Sequence, residues 1–250
     1  MNSLKERKKR IRGILFDKDG TLIDFNTFWV PLAFELAGKL LSESELGPEH
    51  RSPLLGHIGI RPDGNLIQDS IYASGTLEDT AQALYLYMKE QGCRLPGIDG
   101  FKSTLENMIR AYAMAQRSKI RSIGNVMDTL SALSEKGLLL GISTSDSEEN
   151  TRLCLEETGL ISYFRYIGCP GYSKRPKPSG DILFDFSAKF NVAPEEIAVV
   201  GDTSTDIAFA RENHAGIAVG VLSGAGTAQS LSGADILLHN VNGLVAFFAG

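Results

Sequence analysis

The chain has 250 residues, 43% of them hydrophobic and 22% charged, with 25 Lys plus Arg against 30 Asp plus Glu and a net charge of −5. That composition is too apolar for a disordered chain and describes a soluble globular protein of one large or two modest domains. The acidic surplus argues against a general nucleic-acid binder, and no stretch approaches the roughly 18 apolar residues that a membrane-spanning helix requires.

Charge is concentrated at the N-terminus, where Lys5, Arg7, Lys8, Lys9, Arg10 and Arg12 face Glu6 alone, so the remainder carries a balance of −10. We read this basic arm as a frayed, solvated terminus. Only Ile14-Leu15-Phe16 follows before Asp17, too short for the apolar region of a signal peptide. The three cysteines, Cys93, Cys154 and Cys169, lack C-x-x-C spacing. They read as small buried hydrophobes of a reducing compartment, and the expectation is a cytoplasmic protein.

Gly13 to Phe16 predicts a first strand ending at Asp17. From about Asn26 to Lys119 the pattern turns helical. One amphipathic segment runs through Phe28, Leu32, Leu36 and Leu40. A second starts at Thr76 with Asp79 as its capping-box partner, places Leu77, Ala81, Leu84, Tyr85 and Met88 on one face and stops at Gly92. A third is predicted to start near Ser103 with Glu106 in the same relation, carrying Leu105, Met108, Ile109 and Tyr112. Beyond it, short apolar runs at Leu138–Ile142, Tyr166–Cys169, Ile197–Val200, Ile217–Val221 and Ile236–Leu238 alternate with helical stretches. This rhythm predicts an α/β fold, a Rossmann-like parallel sheet covered by helices. Residues 1–25 and 120–250 are expected to form the core domain, and 26–119 an inserted helical domain.

The most informative segment is Asp17-Lys18-Asp19-Gly20-Thr21. The first strand delivers Asp17 at its C-terminal end, where open parallel sheets place their sites, and Gly20 permits a tight turn whose N–H groups can bind an anion. A second acidic pair, Asp202 and Asp206, follows the strand at Ile197–Val200 at a spacing of one helical turn. Carboxylates converging from two strand ends repel one another unless a hard cation joins them. Mg²⁺ favours a few carboxylates together with a substrate phosphate, so Asp17, Asp19, Asp202 and Asp206 are its candidate ligands. Two further segments fit a phosphate site: Ser143-Thr144-Ser145 at another strand end, and the proline-bounded cations Lys174, Arg175 and Lys177.

With these residues in place, the sequence resembles the haloacid dehalogenase superfamily. Four motifs match in order: Asp17-Lys18-Asp19-Gly20-Thr21, Thr144, Lys177-Pro178, and Gly201-Asp202 to Asp206. The helical insert falls where the superfamily's class I cap lies, and the opening Phe16 to Leu22 is most like that of phosphoglycolate-phosphatase-like members. The resemblance implies that Asp17 is a nucleophile forming an aspartyl-phosphate and that Asp19 is general acid and then base. It further implies that Thr144, Ser145, Lys177 and Gly20 contact the phosphoryl group, and that Mg²⁺ is held by Asp17, the Asp19 carbonyl and Asp202, with Asp206 close by. Dehalogenases and cation-pumping ATPases of the superfamily lack a carboxylate at the Asp19 position, so Asp19 favours rapid hydrolysis. Ser145, and Ser179-Gly180 after Pro178, depart from common members, and Lys174 competes with Lys177 for the lysine role. The expected partner is a small phosphorylated metabolite, with no nucleic acid or membrane, for a monomer or homodimer. A sugar-phosphate mutase of the same fold and a non-catalytic receiver-like signalling module are the alternatives.

Overall fold

The computed structural model describes residues 3–171 and 174–249. The chain forms two compact units, Met1–Asp24 with Arg121–Gly250, and Phe25–Ile120. The elements in chain order are α1 (Leu4–Arg10), β1 (Gly13–Phe16), α2 (Phe25–Ser44), α3 (Arg51–Ile58), α4 (Ile71–Ser74), α5 (Leu77–Glu90), α6 (Ile98–Gln116) and α7 (Val126–Glu135). There follow β2 (Leu139–Ser143), α8 (Glu148–Glu157), β3 (Tyr166–Gly168), α9 (Asp181–Phe190), β4 (Ile197–Gly201), α10 (Ser204–Glu212), β5 (Ile217–Val221), β6 (Ile236–Leu238) and α11 (Gly243–Ala249).

The first unit is built on a six-stranded sheet of order β3-β2-β1-β4-β5-β6. Every pairing is parallel, with Ile14 of β1 beside Leu140 of β2 and Ala198 of β4. All residues of β1, β4 and β5 are buried, as expected of central parallel strands covered on both faces. Ile182, Leu183 and Phe186 of α9 and Ile207, Phe209 and Ala210 of α10 belong to one apolar cluster with Leu15, Ile197, Val199 and Ala218. Burying side chains of this size stabilises the fold by about 1.5–3 kcal/mol each. The strand order reverses between β1 and β4, and the carboxyl ends of those two strands are where such sheets open a crevice.

Strand limits shift slightly from the sequence expectation. The Leu138 N–H is drawn back to the carbonyl of Leu133, so β2 begins at Leu139, opposite Gly13. Strand β2 runs on through Ser143, β4 through Gly201, and β3 stops before Cys169.

The basic arm is not frayed. Ser3 and Glu6 form a capping box that starts α1. Arg7 donates to both carboxylate oxygens of Asp235, at 3.1 and 2.5 Å, and to the Gly216 carbonyl at 2.8 Å. A bidentate Arg–carboxylate pair outweighs repulsion among neighbouring cations, a preference that net charge could not reveal.

The second unit is helical. Ala33, Ala37 and Leu40 of α2, Leu54 and Ile58 of α3, Ala81, Leu84 and Met88 of α5, and Phe101 and Leu105 of α6 share its core. The Thr76–Asp79 box starts α5 as expected. Helix α6, however, begins at Ile98, so Ser103 and Glu106 lie inside it. Its buried stripe, Phe101, Leu105, Ile109 and Ala113, reaches one turn further upstream, and the Phe101 N–H already bonds to the Gly97 carbonyl at 2.9 Å. Among the described residues, no helix is long and apolar enough to cross a membrane.

Candidate active site

The carboxyl ends of β1, β2 and β4 gather the acids. The N–H of Asp17 donates to the Val200 carbonyl at 2.8 Å, which continues the β1–β4 ladder and fixes the backbone of this residue. At the end of β4 stands Asp202, and Asp206 occupies the first turn of α10. One carboxylate oxygen from each of Asp17, Asp202 and Asp206 lies within 4.8 Å of the other two.

Lys177 is the cation at the centre of this group. Its Nζ donates to Asp17 Oδ1 at 2.7 Å, to Asp206 Oδ1 at 2.5 Å and to the Ser143 carbonyl at 3.0 Å. Lys174 goes elsewhere: its ammonium pairs with Asp185 at 2.9 Å and lies over the Tyr166 ring. The two lysines thus part by position: α9 begins just beyond Lys177, and Asp185 on that helix pairs with Lys174.

Both oxygens of Asp206 are engaged. Oδ2 accepts from Thr203 Oγ1 at 2.7 Å and from the Thr203 N–H at 3.1 Å in the capping box of α10, while Oδ1 holds Lys177. Among the described residues, Asp202 has no cation as a hydrogen-bond partner: Oδ1 accepts from Thr21 Oγ1 at 3.1 Å and Oδ2 from the Ala225 N–H at 2.9 Å. A Cβ on Gly20 or on Gly224 would run into the Asp202 carboxylate, and Gly20 also has a positive φ of 78°, so glycine is required there twice over.

Burial dominates the electrostatics. It lifts Asp17 to about 7, against the pull of Lys177 and with added repulsion from Asp206. Burial, then repulsion from Asp17 and Asp206, pushes Asp202 well above the usual carboxylate range. Burial opposes the charge on Lys177, yet Asp17 and Asp206 together raise its pKa above that of a free lysine. Asp17 and Asp206 thus share one ammonium, and Asp202 adds a third carboxylate to a cluster of oxygen ligands. An arrangement with unbalanced negative charge and hard ligands fits a divalent cation, which would be held by Asp17 and Asp202 with Asp206 adjacent.

The other expected residues lie on the turns that follow β1 and β2. Thr144 follows β2, donates its N–H to the Gly168 carbonyl at 3.0 Å, and accepts the Asp146 N–H on Oγ1 at 3.2 Å. Ser145 is half-buried on the same turn. The N–H of Gly20 bonds to the Ile23 carbonyl at 2.8 Å, so the turn consumes the donor that was expected to meet an anion. The carbonyl of Gly20 accepts from Ser223 Oγ at 2.8 Å. Asp19 is largely buried and ion-paired with Lys18.

Lys18 and the loop Ser223–Ala225 are the parts that sequence reasoning passed over. The loop is signalled by its composition, Ser-Gly-Ala-Gly one residue beyond β5, which permits the close approach to Asp202 and Gly20. Lys18 is completely buried.

The chain resembles known proteins along nearly its whole length. The curated phosphoglycolate phosphatase of Escherichia coli K12 is 26% identical over 238 residues, spanning 94% of this chain and 91% of its own length. The phosphoglycolate phosphatase of Chromobacterium violaceum is 28% identical over 93% of this chain and 94% of its own. A crystal structure of a predicted phosphoglycolate phosphatase from Haemophilus somnus superposes with a TM-score of 0.73 at 21% identity, covering 95% of this chain and 98% of the other. A haloacid dehalogenase phosphatase from Thermococcus onnurineus gives 0.70 at 21% identity, over 96% and 99% of the two chains. The sequence pattern of haloacid dehalogenase-like hydrolases matches residues 14–221. The chain therefore belongs to the haloacid dehalogenase-like hydrolase family, and it is an enzyme, a hydrolase of the phosphatase kind.

Proposed function

We propose that the protein is a Mg²⁺-dependent phosphatase of a small phosphorylated metabolite, a phosphoglycolate-like acid or a sugar phosphate, working through a phosphoryl group carried on Asp17. The observation that carries this reading is the Asp17–Lys177 pair inside a cluster of carboxylates at the reversal point of the sheet. The substrate class is suggested by the curated phosphoglycolate phosphatases that the chain resembles along nearly its whole length.

In this reading Lys177 orients the Asp17 carboxylate, which attacks phosphorus in line with the ester oxygen. The P–O ester bond breaks, and the departing alkoxide takes a proton from Asp19. Asp19, now a carboxylate, removes a proton from the water that attacks the acyl phosphate. Inorganic phosphate leaves and Asp17 is restored. The Thr144 hydroxyl and the Lys177 ammonium donate to the phosphoryl oxygens as charge builds on them, with Ser145 beside Thr144. Mg²⁺, held by Asp17, Asp202 and the Asp19 carbonyl, would supply positive charge to the phosphoryl oxygens. Asp206, with both oxygens engaged, serves chiefly to fix Lys177. The helical unit acts as a substrate-selecting cap, and the protein works in the cytoplasm without nucleic acid.

The test is a panel of phosphorylated metabolites that includes 2-phosphoglycolate and hexose phosphates, assayed with Mg²⁺ and again with excess chelator. Turnover that the chelator abolishes is expected. Failure to release phosphate from any ester in Mg²⁺ would overturn the reading, and a requirement for a bisphosphate activator would favour a mutase.

A further inference from the structure

Lys18 stands between two site acids, and its side chain is completely buried. Removing an ammonium from water costs several kcal/mol unless carboxylates surround it, so a buried lysine marks a place where charge is needed. The partners are specific. Nζ donates to Asp19 Oδ2, lies 3.2 Å from Asp146 Oδ2 and approaches Cys154 Sγ at 3.9 Å. Asp146 Oδ2 is buried and makes no hydrogen bond of good geometry among the described residues, which leaves the Lys18 charge as its compensation. Asp146 is itself fixed, because its Oδ1 accepts from the Ser147 N–H at 2.7 Å and from Asn150 Nδ2 at 3.1 Å at the start of α8. Its N–H reaches Thr144 Oγ1 at 3.2 Å.

We propose that Lys18, anchored by Asp146, is a positioning residue that holds the Asp19 side chain through Oδ2 in the orientation from which its protonated carboxyl group delivers a proton, and ties it to the Thr144 turn. Burial alone would be met by a methionine or leucine at position 18. Only a cation of this length reaches Asp19 and Asp146 together. The ion pair joins the turn after β1 to the turn after β2, so acid and phosphate-binding hydroxyl keep one spacing. General acid catalysis contributes typically about 10²–10⁴-fold and depends steeply on placement, so losing the anchor removes a large part of that factor without removing the acid.

This inference rests on the acid/base reading of Asp19, and the experiment separates the two. The full chain is assayed as Lys18→Met, Lys18→Arg, Asp146→Asn and Asp19→Asn, with Mg²⁺, on an alkyl phosphate and on p-nitrophenyl phosphate. kcat/KM reports formation of the phosphoenzyme. An alkoxide must be protonated as it leaves, whereas nitrophenolate leaves without help. Asp19→Asn is expected to lose at least about tenfold more on the alkyl ester than on the aryl ester. Lys18→Met is expected to show the same selective loss, Asp146→Asn a smaller one, and Lys18→Arg partial recovery. If Asp19→Asn shows no such selectivity, the acid/base reading fails. If Asp19→Asn shows it and Lys18→Met loses equally on both esters or loses nothing, the positioning role is overturned. Should Lys18→Met not fold, as judged by circular dichroism, the double variant Lys18→Met/Asp146→Asn removes the buried charges in pairs and is held to the same selective loss.

Discussion

The two ends of the sheet treat buried charge in opposite ways. At the carboxyl end, Asp17 and Asp206 share the ammonium of Lys177 with Asp202 close beside them, and Asp17 and Asp202 are driven upward in pKa, first by burial and then by neighbouring carboxylates. At the amino end, Asp235 precedes β6 and faces two guanidinium groups, Arg7 at 2.5 Å and Arg211 at 3.1 Å, with the Ala218 N–H donating at 2.9 Å. Burial works against the Asp235 charge as well, but these donors win and its pKa falls below the usual range. One end is balanced and serves the fold. The other is left short of positive charge, which destabilises the bare protein and, in the proposed reading, readies it for a cation and a phosphate.

Substitutions should expose this asymmetry, and the largest effect falls at the reacting atom. Asp17→Asn is expected to lower kcat by at least about 10³-fold while the chain remains folded, measured by phosphate release beside a thermal melt. Lys177→Met should lose about 10²–10³-fold in kcat. It should also cost the metal-free protein about 3–5 kcal/mol, because Asp17 and Asp206 then stay buried without their cation. A melting temperature equal to that of the wild type would show that the carboxyl end is not held by this pairing.

Asp202→Asn should behave the other way. It removes a buried acid that has no cation partner among the described residues, so the metal-free variant is predicted to be more stable by about 1–2 kcal/mol. At the same time Mg²⁺ should no longer raise its melting temperature as it does for the wild type. The smallest effect belongs to the balanced end, where Arg7→Ala should cost about 1 kcal/mol, discounted for the partial exposure of Arg7, and leave kcat unchanged. The sign of its pH dependence follows from Asp235. A carboxylate whose folded pKa is depressed contributes stability above its unfolded value, and loses it as the pH falls through the folded one. The stability gap between wild type and Arg7→Ala should therefore close on acidification below about pH 4, as followed by denaturant titration.

Much of the frame is legible from local pattern, because buried parallel strands such as Ile197–Val200 and Ile217–Val221 are continuous apolar runs with few other readings. The acids at positions 17, 19, 202 and 206 announce themselves through their places after such runs. What escapes is whatever depends on a neighbour distant in sequence. A lysine between two acids looks like their exposed counter-ion, and only the pairing of Phe16 with Ile142 brings Asp146 and Cys154 around Lys18. The basic arm misleads for the same reason, since its partner Asp235 lies more than two hundred residues away. Gly20 is read correctly as a tight turn but not as a donor, because the turn uses its N–H internally.

The central claim is that the unbalanced carboxyl end carries a phosphoryl group on Asp17. It is tested most directly by quenching the wild-type enzyme during turnover of p-nitrophenyl phosphate, reducing the acyl phosphate with borohydride and mapping the product by mass spectrometry. The account predicts homoserine at position 17 in the presence of Mg²⁺ and none with chelator. Sustained turnover with position 17 unmodified, or with the label on another residue, would contradict it.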